Sequence, residues 1–264
     1  KDNIALRVNF AVFDDERNKT GGVLAVLHDI TKQQKLENSR REFVANVSHE
    51  LRTPLTTVKS YAETLLDFVK DNKTAAAFTN TILNETDRMT RLVKDLLVLS
   101  SLENSASLNK TVFSLKAMIH DVVSTMTLVA SEKGHRLQFK QSSELPEFYG
   151  DSDKLEQVLY NIISNSIKYT PNGGKIIVRA GKVYHEIQIE VQDTGIGIPE
   201  KDLSRIFERF YRVDKARSRE LGGTGLGLAI SKSIIDSHGG QIHIDSKPGQ
   251  GTLVLITLPI VKKK

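Results

Sequence analysis

The chain has 264 residues, 39% of them hydrophobic and 26% charged, which is enough apolar material for one large domain or two modest ones and excludes a disordered or collagen-like chain. No run of about 18 apolar residues is present to cross a bilayer, and the absence of cysteine excludes disulfide frameworks, thiolate zinc sites and cysteine nucleophiles and fits a reducing compartment. The net charge of +5 is dispersed: Lys262–Lys264 form a tail, Lys215, Arg217 and Arg219 form a second cluster, and no aromatics interleave with them, so no direct nucleic-acid contact is expected.

Residues 1–31 read as strands. Ala5, Val8, Phe10 and Val12 are broadly apolar, DDERNKTGG is a turn, and GVLAVLHDI is a second strand-like run. Two or three strands are not stable alone, so the segment reads as the trailing edge of another domain, and the chain, which starts at Lys1 without a signal-peptide pattern, as a piece of a longer protein.

From Val44 the period changes. Val44, Val47, Leu51, Leu55, Val58, Ala62, Leu65 and Val69 are three and four apart, a seam on a long helix that DNK at 71–73 breaks. Phe78, Ile82, Met89, Leu92, Leu96 and Leu99 make a second seam with only Glu85 out of place, and Val93 and Leu97 widen it. The expected unit is an antiparallel helical hairpin over 32–105 that buries its wide seams by pairing with another copy into a four-helix bundle.

ENSASLNK at 103–110 reads as a linker, and the domain over 110–262 alternates helix and strand. HRLQFK, Lys175–Ala180 and Tyr184–Gln192 are strand-like, 153–169 and 226–238 helical, the latter stopping at Gly239-Gly240. QIHIDS and GTLVLITLP close the pattern as two strands. The expected architecture is an α/β two-layer sandwich, a mixed sheet with helices on one face.

Several residues carry chemistry. His49 lies about 160° from the mean direction of its seam, so it faces water, with Glu50 beside it and Thr53 and Pro54 one turn on. Pro54 removes a backbone donor and should bend the helix. An exposed imidazole next to a carboxylate is a workable nucleophile pair. A zinc site is rejected, because HELRT lacks the second histidine of H-E-x-x-H. In NIISNSIKY, Asn161, Asn165 and Lys168 form one polar stripe on an otherwise apolar helix; a solvated face is the bland reading, and an oxygen-ligated Mg²⁺ beside phosphates is the sharper one. In DTGIGIP, Asp193 offers an acceptor to an amine, and Gly195 and Gly197 permit close backbone approach to a flat ligand. GGTGLGLAI places Gly223, Thr224, Gly225, Leu226 and Gly227 immediately before a helix, a cradle of N–H groups for phosphate that has neither Walker A nor Rossmann spacing.

HELRTP, NIISNSIKY, DTGIGIP, IFERFYR and GGTGLGLAI together, in this order over about residues 32–262, resemble the boxes of sensor histidine kinases, and VLHDITKQQKLE resembles the exit of a PAS sensor domain. The resemblance implies a dimerisation and phosphotransfer hairpin, then a catalytic domain of Bergerat type that binds ATP with Mg²⁺. By that likeness His49 is the phospho-acceptor, Glu50 its base and Thr53 the orienter of water in a phosphatase reaction. Asn165 corresponds to the metal ligand and Asn161 supports it; Lys168 contacts phosphate and Tyr169 the sugar or base. Asp193 bonds the exocyclic amine of adenine, and Arg212 reaches the γ-phosphate from a lid over 200–222 anchored by Phe207 and Phe210. The implied product is a phosphohistidine homodimer serving a response regulator in trans, from a parent protein anchored in the cell membrane with this part on the cytoplasmic side. An ATPase of the same fold is the rival enzyme, but such ATPases carry a glutamate where this sequence has Asn161, which accepts no proton at neutral pH. A non-enzymatic scaffold is the other rival, and the intact glycine boxes argue against it. The other histidines show no ligand spacing and read as structural or solvated.

Overall fold

The computed structural model describes residues 4–14, 20–67, 72–103, 108–214 and 223–260. The tip of the DDERNKTGG turn, the break at 68–71, the middle of the linker, the lid segment carrying Lys215, Arg217, Arg219 and Gly222, and the lysine tail lie outside the described residues. Two compact units emerge, residues 1–82 and 83–264.

In the first unit, β1 (Leu6–Asp14) and β2 (Thr20–Asp29) form an antiparallel ribbon that enters α1 (Thr31–Asp67). The junction is bonded from both sides. Asp29 Oδ1 accepts the Thr31 N–H at 2.9 Å and the Thr31 hydroxyl at 2.6 Å, while Thr31 Oγ1 accepts the Ala5 N–H at 2.9 Å. The Ile30 N–H reaches the Ala5 carbonyl at 2.9 Å. This side-chain mimic of a turn starts the helix one residue after the strand ends.

Helix α1 continues through Pro54, which is buried, without interruption. The absent Pro54 N–H is the donor that would otherwise bond the Glu50 carbonyl. Of the first seam, Val47, Leu51, Val58 and Leu65 are half-buried, but Leu55 is 54% exposed and Ala62 is exposed; the side chains of Val44 and Val69 lie outside the description. α2 (Asn72–Glu103) begins inside the expected DNK break, since Asn72 and Lys73 are already helical.

The second unit opens with the rest of α2. There Leu92 and Leu99 are buried, and Glu85, the expected flaw in the seam, bonds Arg88 at 3.4 Å one turn on. Arg88 is itself buried, so the polar intrusion is met by a partner rather than left bare. A short ribbon of β3 (Thr111–Ser114) and β5 (Glu147–Gly150) frames α3 (Leu115–Glu132), which Ser114 caps. β4 (Arg136–Gln141), β6 (Lys175–Val183), β7 (Glu186–Asp193), β8 (Gln241–Lys247) and β9 (Gly251–Pro259) form one mixed sheet ordered β4-β6-β7-β9-β8, with β4 and β6 parallel and the rest antiparallel. β6 and β7 meet through a two-residue turn at Tyr184 and His185, so Tyr184, expected in the strand, instead takes φ +54 at the turn.

Helices α3, α4 (Ser152–Tyr169) and α6 (Gly227–Ser237) form the second layer, as expected, and α5 (Glu200–Leu203) is a single turn. Leu159, Ile162 and Ile163 of α4, Ile230 and Ile234 of α6 and Ile187 and Val191 of β7 close the core, each at most 2% exposed. Burial of so much branched aliphatic surface supplies the main stabilisation, on the order of 1.5–3 kcal/mol per side chain. Among the described residues no helix is long and apolar enough to cross a membrane.

Candidate nucleotide site and acceptor helix

A cavity of about 450 Å³ opens in the second unit where α4, the end of β7 and the glycine-rich approach to α6 converge. Strand alternation places its buried carboxylate. Ile187, Ile189, Val191 and Asp193 share one face of β7, so the period that buries three aliphatics also buries an acid where the strand ends. Asp193 Oδ1 accepts the Gly195 N–H at 2.9 Å and the Thr252 N–H at 3.1 Å, and Oδ2 accepts the Ser166 hydroxyl at 2.9 Å. Burial pushes this carboxyl up, and the bonds from Gly195, Ser166 and Thr252 pull it back. An ionised carboxylate accepts about four hydrogen bonds, so Asp193, which lines the cavity, retains capacity for one donor from a ligand.

The stripe on α4 is a cavity wall and not a solvated face. Asn161, Asn165, Lys168 and Tyr169 all line the cavity and are half-buried. Asn161 Nδ2 donates to the Gly227 carbonyl at 3.3 Å, so it fastens α4 to the start of α6. Burial lowers the Lys168 ammonium, with Arg212 and Arg91 adding like-charge repulsion and Tyr169 opposing both; its Nζ lies 5.2 Å from the Tyr169 ring centroid. Arg212 and Arg91 line the same cavity. Cations close enough to repel one another around a shared space are suited to holding phosphates, whose charge relieves that repulsion.

Gly223, Thr224, Gly225 and Gly227 line the cavity, whereas Leu226 is fully buried and does not. Gly225 has φ +75, and a Cβ there would come 2.9 Å from the Phe210 backbone, whose N–H donates to the Gly225 carbonyl at 2.9 Å. The lid stem and the glycine box are thus stitched together at Phe210, itself at φ +62, while Lys232 of α6 lies over the Phe207 ring at 5.9 Å. The Tyr211 hydroxyl donates to Asp202 at 2.7 Å and holds the stem to α5. Gly195 and Gly197 also make room for the protein's own atoms. A Cβ on Gly195 would meet Asp193 Oδ1 and the Tyr169 carbonyl at 2.8 Å, and one on Gly197 would overlap the Lys247 carbonyl, so the space they vacate is taken by the protein itself. Gly197 lines the cavity and Gly195 acts through its N–H on Asp193.

The acceptor candidates belong to the first unit. His49 lies on α1, but its side chain is outside the description. Glu50 is half-buried and Thr53 exposed.

A family model described as His Kinase A (phospho-acceptor) domain matches residues 39–105, and one described as histidine kinase-, DNA gyrase B-, and HSP90-like ATPase matches residues 150–262. The chain is 46% identical to the sensor histidine kinase WalK of Bacillus subtilis over 96% of its own length and 42% of the relative's. The chain belongs to the sensor histidine kinases.

It is also 44% identical to the sensor protein kinase WalK of Staphylococcus aureus, over 98% of this chain and 63% of that one. It therefore spans less than two thirds of the length of these relatives. Among solved structures, histidine kinase AdeS of Acinetobacter baumannii aligns with TM-score 0.66 at 27% identity over 81% of this chain and 98% of that one. Histidine kinase ThkA, solved in complex with response regulator protein TrrA, aligns with TM-score 0.70 at 26% identity over 96% of this chain and 75% of that one.

Sequence reasoning missed four residues at this cavity. Ser166 and Thr252 orient Asp193, and Arg91 and Asp95 of α2 line the cavity. Ser166 follows Asn165 within the span of the polar stripe and is foreshadowed only by being polar on a buried face; Thr252 is brought in by β-sheet pairing and carries no local signal. Buried His238, one of the histidines without ligand spacing, has a structural role: its Nδ1 meets the Ile234 carbonyl at 2.8 Å and its Nε2 accepts the Asp151 N–H at 3.0 Å. Asp151 in turn caps α4 through the Lys154 N–H.

Proposed function

We propose that this chain is an ATP-dependent protein-histidine kinase that phosphorylates itself on His49 and passes the phosphoryl group to an aspartate of a separate response regulator. The observation that carries the reading is a cavity with two chemically opposite sets of groups. Asp193, held by three hydrogen bonds with capacity for one more, suits the exocyclic amine of adenine; Asn165, Lys168, Arg212 and the glycine backbone suit a triphosphate. Tyr169 contacts the sugar or base. In the transfer a nitrogen of His49 attacks the γ-phosphorus, an N–P bond forms, the bond to the β,γ-bridging oxygen breaks, and ADP leaves. Glu50 takes the ring proton. Lys168 and Arg212 offset the charge on the moving oxygens, so that positioning and neutralisation do most of the work.

Among the described residues no group of three or more His, Cys, Asp or Glu could cage an ion. The donor set does fit Mg²⁺ that arrives on the nucleotide: the Asn165 amide oxygen adds one hard ligand to those of the phosphates, with Asn161 steadying the wall. Bound there, the ion would be held by Asn165 and would offset negative charge on the phosphates.

In this reading 1–31 is the end of a PAS-like sensor domain and the start of a signalling helix, 32–105 is the dimerisation and phosphotransfer domain, and 110–262 is the catalytic domain. A homodimer is supported by apolar side chains left bare on single helices: Leu55 on α1, and Leu83, Val93 and Leu97 on α2, the last 66% exposed. Two copies cover these seams as a four-helix bundle. The regulator acts in trans and is WalR-like, in keeping with the WalK relatives, and the longer parent is held at the cell membrane with this part on the cytoplasmic side. Thr53, exposed one turn after His49, orients water for dephosphorylation of that regulator.

The test is labelling from γ-labelled ATP. His49→Gln abolishes it while nucleotide still binds, and retained labelling would move the acceptor elsewhere. Mixed His49→Gln and Asn165→Asp chains report whether transfer runs within or between protomers. Thr53→Ala keeps labelling but loses regulator dephosphorylation by at least tenfold; unchanged dephosphorylation would remove the phosphatase role.

A further inference from the structure

One wall of the cavity is contributed by α2. Arg91 and Asp95 are one turn apart on α2, on one face of that helix, and both line the cavity. Asp95 is half-buried, and its Oδ2 accepts the Thr224 hydroxyl at 2.8 Å. The same Thr224 oxygen accepts the Leu226 N–H at 3.3 Å, just before α6 begins. One hydroxyl therefore ties α2 to the middle of the glycine box, beside Gly225 and in the cavity that Lys168 and Arg212 also line.

We propose that Asp95 is a latch against the triphosphate: from α2 it occupies the Thr224 hydroxyl and sets a negative charge at the phosphate cradle, so that loading of nucleotide and release of Thr224 from Asp95 are one event. The proposal rests on the nucleotide reading above. Its chemistry is exclusive. A threonine hydroxyl has one proton to donate, so Thr224 serves either the Asp95 carboxylate or a phosphate oxygen. The carboxylate itself repels the terminal phosphates with less screening than a surface charge would suffer, because Asp95 is half-buried. Burial raises the Asp95 carboxyl above its ordinary value, and the bond from Thr224 and the nearby Arg91 act against that rise by favouring the charged form. Arg91, one turn back, is placed to receive the carboxylate when Thr224 leaves. Asp95 is a positioning residue in this scheme and touches no reacting atom.

The two contributions, a competing charge-assisted hydrogen bond and a like-charge repulsion, together predict roughly a tenfold to hundredfold effect on triphosphate affinity. The experiment measures binding of β,γ-imido-ATP with Mg²⁺, and of adenosine, to the full chain by calorimetry, comparing wild type with Asp95→Asn and Asp95→Ala. Both variants are expected to bind the triphosphate at least tenfold tighter and adenosine unchanged. Asp95→Asn, which removes the charge but keeps an acceptor for Thr224, gains less than Asp95→Ala. A purely structural role would weaken both ligands or neither. Unchanged or weaker triphosphate binding in Asp95→Asn, with adenosine still bound, would overturn the latch. A wild-type chain that binds neither ligand would overturn the nucleotide reading itself, a result distinguishable from the first.

Discussion

The substitution Asp193→Asn isolates the adenine end of the cavity, because the fold should hardly notice it. The amide oxygen of the new side chain can still accept the Gly195 and Thr252 N–H groups, now at 2.9 and 3.1 Å, and its NH₂ can donate to the Ser166 oxygen, since a hydroxyl accepts as readily as it donates. Stability should therefore change by less than about 1 kcal/mol. Toward the ligand the change is a reversal of sign. Where a carboxylate accepted from an exocyclic amine, an NH₂ now faces another NH₂. The loss is one hydrogen bond to a charged group plus the desolvation of an unmet donor, together about 2–4 kcal/mol, or roughly 30- to 900-fold in Kd. Calorimetry with ATP reads this directly. Inosine triphosphate, which carries a carbonyl oxygen in place of the amine, supplies the internal control: Asp193→Asn should bind it better than ATP, the opposite of the wild-type preference. Equal ATP affinity in the two proteins, with the melting temperature preserved, would refute the placement of the amine against Asp193.

Two further outcomes follow from the packing. Gly225→Ala combines a left-handed φ of +75 with a Cβ 2.9 Å from the Phe210 backbone, and should cost about 2–4 kcal/mol in a urea titration and weaken nucleotide binding; an unchanged midpoint would contradict the close approach. His238 is held below its ordinary value of 6.5, chiefly by burial and also by Lys110, against the pull of its bond to Ile234 and of Asp151. The unfolded chain then takes up a proton near pH 6.5 that the folded chain refuses until lower pH. Stability is therefore full above about pH 6.5 and falls as pH drops toward the folded value, by up to about 1.4 kcal/mol per pH unit. Melting temperatures from pH 8 to 5 should fall less steeply in His238→Asn than in the wild type, and parallel curves would rule out this histidine as the source.

How far the sequence disclosed this site depends on the range of the cause. Asp193 was legible because β7 alternates cleanly, and the same parity that buries Ile187, Ile189 and Val191 fixes where the carboxylate goes. The α4 stripe was legible because its apolar background is so regular, and the glycine box because three glycines ahead of a helix have few other uses. The close packing around Gly195 and Gly197 was not, since what fills their missing side-chain volume is a carboxylate bonded locally and a carbonyl from β8. Asp95 gave no sign either: on a two-sided helix an acidic residue reads as solvated until another element is laid against it. The exposure of Leu55 within an otherwise regular seam marks the same limit from the other side, because a seam reports that something covers it and not which chain does.

The bonded corner between the β-ribbon and α1 has a mechanical consequence. Ala5, Asp29, Ile30 and Thr31 share four short bonds at the corner, with no glycine among them and only Ile30, itself bonded to Ala5, between the strand and the helix. A twist applied to the ribbon is consequently not dissipated at the corner; it is handed to the first turn of α1 as rotation about the helix axis, eighteen residues upstream of His49.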